Sequence, residues 1–132
     1  MTEQASATFV IKSWEENPID ETEEGIGLMR AEVSKSYEGD LEGEGRVEYQ
    51  MMYRDDGSAS FVGLERFTGT QAGRKGSFVF EHRGTFEEGV VKSVWHVVLG
   101  SGTGKLAGLQ GEVAFAAGHA DSYPISLDYD FE

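Results

Sequence analysis

Toward the C-terminus, Tyr123, Ile125, Leu127, Tyr129 and Phe131 alternate with Pro124, Ser126, Asp128, Asp130 and Glu132. A period of two puts one set on each face of an extended strand, and a helix cannot hold that pattern on one face. The same period runs through most of the chain. Phe9, Ile11 and Ser13 alternate with Val10, Lys12 and Trp14. Ile26 to Ser36 carries Met29, Ala31 and Val33 on one side. Val47, Tyr49, Met51 and Tyr53 oppose Arg46, Glu48, Gln50 and Arg54. Ala59 to Phe67, Ser77 to Phe86, Val90 to Leu99 and the short apolar Glu112 to Ala117 complete about eight strands separated by turn signals.

Between these runs lie loop and turn signatures. Asp55-Asp56-Gly57 is a strong hairpin signal. Glu38 to Gly45 reads as a turn-rich link, and Gly69, Gly73 and Gly76 read as a glycine-rich turn. Glu15, Glu16, Asp20, Glu21, Glu23 and Glu24, with Pro18 among them, read as a solvated acidic loop. No segment carries a convincing amphipathic helix. The expected fold is therefore all-β, a small closed antiparallel barrel that leaves no free edge, with a β-sandwich as the alternative. Residues 1–132 are expected to form one domain. Gly63, Gly84 and Gly111 within or beside strands fit sharp bends at barrel corners.

The run Gly100-Ser101-Gly102-Thr103-Gly104-Lys105-Leu106-Ala107-Gly108-Leu109-Gln110-Gly111 invites a phosphate-binding reading. It fails that test. Leu106 stands where a P-loop needs Ser or Thr, Leu99 where it needs its first glycine, and Lys105 where a dinucleotide fingerprint needs its third. No following helix is long enough to hold an anion at its N-terminus. A shaped connection between two strands is the expectation.

Composition narrows the partners. Against 24 acidic residues stand 11 basic ones, a net charge of −13. That surface repels nucleic-acid phosphates and anionic membranes. Cysteine is absent, which excludes disulfides and thiolate chemistry and suits a reducing compartment. With no apolar run that would span a bilayer and no signal-like N-terminus, the expected location is cytoplasmic. His82, His96 and His119 lack metal-ligand spacing, no G-x-S-x-G is present, and no cofactor is expected.

Several runs together resemble a known family. They are Gly63-Leu64-Glu65-Arg66-Phe67-Thr68-Gly69, Gly76-Ser77-Phe78-Val79-Phe80-Glu81-His82-Arg83-Gly84-Thr85-Phe86, Gly100-Ser101-Gly102-Thr103-Gly104 and Leu106-Ala107-Gly108-Leu109-Gln110-Gly111. In that order they resemble the DUF3224 family of small bacterial proteins, over about Thr8 to Phe131. The resemblance implies a small barrel similar in shape to allene oxide cyclase, a calycin-like fold, and leaves function unassigned. It further implies that barrel relatives hold hydrophobic small molecules and isomerise or cyclise some of them, which is fold-level analogy.

Inside such a barrel, Phe61, Gly63, Glu65 and Phe67 share one strand face, and Phe78, Phe80, His82 and Phe86 share another. Glu65 and His82 are the polar members of two aromatic faces, and together they are candidates for a general acid/base pair. Tyr49, Tyr53, Phe61, Phe67, Phe78, Phe80, Trp95 and Tyr129 are candidate walls of a ligand cavity. The structural alternative pairs Glu65 with Arg83 or Arg66 and satisfies His82 on a backbone carbonyl. Three functions follow. The barrel binds one apolar or aromatic small molecule, or catalyses a cofactor-free isomerisation or cyclisation, or is fully packed and self-associates.

Overall fold

A computed structural model describes residues 2–21 and 27–132, with only the backbone of Glu21. Among these residues the chain forms eight strands: β1 (Glu3–Glu21), β2 (Gly27–Gly39), β3 (Leu41–Tyr53), β4 (Ala59–Gln71), β5 (Arg74–Glu87), β6 (Val90–Val97), β7 (Leu109–Ala117) and β8 (Tyr123–Phe131). Each pairs antiparallel with the next, and β1 pairs with β8, so the sheet closes into a barrel. Closure excludes the sandwich alternative. It follows from the period of two, because every strand then has one apolar face to bury and a neighbour on each side for its backbone. Among the described residues no helix is long and apolar enough to cross a membrane.

The strands run further than the sequence signals indicate. Glu15, Glu16 and Asp20 belong to β1, paired against β2, rather than to a loop; Glu23 and Glu24 lie outside the described residues. The Glu38–Gly45 link shrinks to Asp40, and Gly69 and Gly76 face each other across paired strands, leaving the turn to Ala72 and Gly73. These glycines are strand residues because neighbouring backbones approach too closely for a side chain. A methyl on Gly43 would strike Thr68 and Gly69 of the adjoining strand. The Asp55-Asp56-Gly57 hairpin stands as expected, with the Ser58 amide donating to Asp56 Oδ1 at 2.8 Å.

β1 holds two register slips that alternation does not show, the second between Pro18 and Asp20. At the first, its pairing with β2 slips between Ile11 and Ser13, leaving Lys12 as an extra residue. Such a bulge reverses which side chains face inward. Phe9 and Ile11 face the interior before it; after it Trp14 does, its ring 6.0 Å from that of Tyr49.

The interior has two regions. One is a packed aromatic core that includes Phe9, Tyr37, Phe67, Phe78, Phe80, Trp95, Leu127 and Tyr129. The other is a smaller group formed by Ala31, Val33, Val47, Tyr49, Met51 and Phe61. The glycine-rich connection closes the packed end. Its single 3-10 turn, Gly104–Leu106, inserts the fully buried Leu106 into that core. Four of the connection's amides, those of Ser101, Thr103, Leu106 and Ala107, donate to backbone carbonyls within the loop or the adjoining strands. Thr103 N–H donates to the Ser77 carbonyl, Leu106 N–H to Thr103 and Ala107 N–H to Gly104. The Thr103 bond holds the loop to β5, and the Leu106 and Ala107 bonds close the 3-10 turn.

Candidate functional site

A buried charged cluster lies where the two regions meet. Glu65 on β4 sits opposite Val47 of the smaller group and Phe80 of the packed core. Its Oε1 accepts from Lys35 Nζ at 3.0 Å and His82 Nε2 at 2.7 Å, and its Oε2 accepts from the Tyr37 hydroxyl at 2.6 Å. Glu65 and His82 are 0 % exposed and Lys35 2 %. Three donors on one carboxylate are what a buried anion needs to offset lost hydration.

The neighbours clear space for this cluster. A methyl on Gly45 would overlap Glu65 Oε2 and come within 2.8 Å of the Tyr37 ring. One on Gly63 would come within 2.7 Å of the Tyr49 ring. Gly63 is also the cross-strand partner of both Tyr49 and His82, so its missing side chain lets those two rings meet.

The electrostatics follow from burial and contact. Burial opposes ionisation of Glu65, but the Lys35 charge and the His82 and Tyr37 hydrogen bonds outweigh it and hold the carboxyl down at about 2. Burial lowers the Lys35 pKa below its ordinary value, against the pull of Glu65. Burial likewise lowers that of His82, again partly offset by Glu65. His82 is therefore neutral near pH 7. Facing an ionised carboxylate, its Nε2 carries the proton, and Nδ1 is an acceptor 3.5 Å from the Tyr49 hydroxyl. Burial raises the pKa values of both Tyr37 and Tyr49, so both stay protonated donors.

Beside the cluster a cavity of about 250 Å³ opens toward one end of the barrel. Its deep walls are the buried Phe9, Lys35, Tyr49 and Trp95. Its mouth is set by the exposed Trp14 and Ile11 and the half-buried Tyr53, Phe86 and Ala117. At the mouth Glu16 accepts from Trp14 Nε1 at 2.7 Å and from the Tyr53 hydroxyl at 3.2 Å, fixing both rings. Lys35 Nζ lies 4.5 Å from the Phe9 and Trp95 ring centres. Glu65 is its hydrogen-bond partner, and an ammonium has three donors.

The proposed site residues thus divide. Tyr49, Tyr53, Phe61 and Trp95 line the cavity. Phe67, Phe78, Phe80 and Tyr129 do not; they point inward at the other end and fill the packed core. Glu65 and His82 come together, but beneath the cavity rather than on its wall. The expected pairing of Glu65 with Arg83 or Arg66 is incorrect, because both arginines lie exposed on the outer face. His82 is satisfied by Glu65 rather than by a backbone carbonyl. His96 turns outward, 3.6 Å from Glu112.

The sequence reading missed Lys35 and Tyr37. The signal was present: both continue the inward series Met29, Ala31, Val33 of β2. Trp14 was missed because the Lys12 bulge leaves no trace in the alternation.

The sequence model of the DUF3224 family, described as a protein of unknown function, matches residues 5–129. The chain belongs to the DUF3224 family. A crystal structure of a DUF3224 protein with unknown function from Shewanella oneidensis MR-1 has the same architecture. It superposes with a TM-score of 0.83 at 26% sequence identity, over 100% of this chain and 99% of that one. No curated protein matches the chain. Membership in DUF3224 fixes the fold and carries no activity with it, so the chemistry rests on the barrel's own side chains.

Proposed function

We propose that the barrel binds one small, largely apolar molecule, with an acceptor group at its inner end directed at Lys35. The observation that carries this is the cavity of about 250 Å³, walled by aromatic rings and ending on a single buried cation. An apolar protein cavity of about 150 Å³ holds benzene, so this one suits a molecule of one or two rings. Apolar walls with a few placed polar groups, here Lys35, Ser93 and the tyrosine hydroxyls, are the usual composition of small-molecule sites. A cytoplasmic setting agrees with the absence of cysteine.

The isomerase or cyclase alternative draws on the 2.7 Å contact between Glu65 and His82. It requires a carboxylate oxygen free to take a proton from a substrate. Both oxygens of Glu65 already accept hydrogen bonds, and neither Glu65 nor His82 walls the cavity. Self-association through a filled barrel is disfavoured by the cavity itself.

Native mass spectrometry of the purified protein with a panel of small aromatic and alkyl carbonyl compounds tests the reading. A 1:1 adduct with a raised melting temperature is expected, since a ligand that binds only the folded state stabilises it. Absence of both across the panel would count decisively against a ligand-binding barrel.

A further inference from the structure

The geometry points to a covalent role for Lys35: its amine forms a reversible imine with an aldehyde or ketone seated in the cavity. This rests on the binding reading above and names the ligand's reactive group.

Three observations support it. First, Lys35 is the cavity's one lysine, and it is buried while Lys12, Lys75, Lys92 and Lys105 are exposed on the outer surface. Second, Nζ is held in place by Glu65 at 3.0 Å and by the Phe9 and Trp95 rings, each centred 4.5 Å away. A fixed nucleophile beside an apolar space loses little entropy on attack. Third, the charge count selects a neutral carbonyl. Glu65 already balances Lys35, and His82 is neutral, so a ligand carboxylate would add an unpaired anion to a buried site. A carbonyl adds none.

Burial also eases proton loss from Lys35, which nucleophilic attack requires.

The step balances without a redox partner. Nζ gives up a proton to solvent water at the open end of the cavity, while Glu65 stays ionised, and the freed lone pair attacks the carbonyl carbon. The C–N bond forms as the C=O π pair moves to oxygen, which is protonated to give a carbinolamine. The C–O bond then breaks and the C=N bond forms. The carbonyl oxygen leaves as water with one amine hydrogen and the proton returned by solvent. The third ammonium hydrogen remains on the iminium nitrogen, still facing Glu65. An ammonium–carboxylate pair enters the reaction and an iminium–carboxylate pair leaves it.

The test is reductive trapping. The intact protein is incubated near neutral pH with benzaldehyde and sodium cyanoborohydride, then examined by intact mass and peptide mapping. The expected result is one adduct per chain, equal to the aldehyde mass less one oxygen, on Lys35. The other four lysines should label at least tenfold more slowly, and Lys35→Arg should lose the single fast adduct. Labelling spread over the exposed lysines with Lys35 unmodified would overturn the inference. The wild-type map decides this even if Lys35→Arg fails to fold. Benzyl alcohol, which cannot form an imine, separates the two readings in a parallel tryptophan-fluorescence titration. Binding of the alcohol without trapping of the aldehyde removes the imine and leaves the binding site; failure of both removes both.

Discussion

At the scale of single residues, the account turns on Glu65. Removing its charge leaves the Lys35 ammonium buried without a counter-ion, a loss of about 3–5 kcal/mol for a broken buried pair. Glu65→Ala is therefore expected to lower the denaturant midpoint sharply, and Lys35→Met with Glu65→Gln together should recover part of the loss. Acid acts on the same cluster in two stages. His82 has a folded pKa below its ordinary 6.5, so the unfolded chain takes up the proton first and stability falls as the pH drops through that region. Glu65 has a folded pKa of about 2 against an ordinary 4.5. Its contribution is whole above 4.5 and is lost as the pH falls toward 2. Urea titrations from pH 8 to pH 3 should show stability falling with pH, and His82→Gln should flatten the portion that begins near its ordinary 6.5 and runs below it. A flat wild-type profile would contradict a buried, neutral His82. Gly45→Ala should cost about 1–3 kcal/mol, because its methyl meets Glu65 and Tyr37 where neither has room to retreat.

At the scale of elements, the sequence was most readable where alternation is clean and least readable where a closed barrel bends the rules. β8 was legible because its inward residues are all apolar. β2 was legible as a strand but not as a carrier of function. A lysine in phase with Met29, Ala31 and Val33 runs against the expectation that charge faces water, and only the arrival of Glu65 from two strands away reverses it. Glycines misled in the other direction. Gly43, Gly69 and Gly76 have the chemistry of turns, yet in a narrow barrel the missing side chain serves close approach, of strand to strand at Gly43 and Gly69 and of the Thr103 loop to β5 at Gly76. The glycine-rich connection after β6 was correctly read as a shaped loop, while the burial of its Leu106 could not be seen without the strands that receive it. Leu106→Ala should cost about 2–5 kcal/mol, the usual range for a large-to-small change in a packed core. Differential scanning calorimetry would measure it, and a loss below about 0.5 kcal/mol, typical of surface changes, would mean the loop does not close the barrel.

At the scale of the whole molecule, a pair of regions with different tasks replaces the uniform aromatic interior that the strand faces suggested. Phe67, Phe78, Phe80 and Leu106 fill one end; Trp14, Tyr53 and Phe61 frame an open cavity at the other, and the Glu65 cluster lies between them. That division was illegible because alternation reports which way a side chain points, not how far along the barrel axis it lies. It also furnishes an internal reporter. The chain has 2 tryptophans, and both line the cavity, Trp14 at the mouth and Trp95 in its depth. Tryptophan emission therefore arises wholly from the proposed site. Titrating the protein with a small aromatic aldehyde should give a saturable change in that emission with one site per chain, and Ala117→Phe, which narrows the mouth, should abolish it while the protein remains folded. No saturable change up to the ligand's solubility limit, or an undiminished one in Ala117→Phe, would contradict the claim that this barrel is built around a binding cavity.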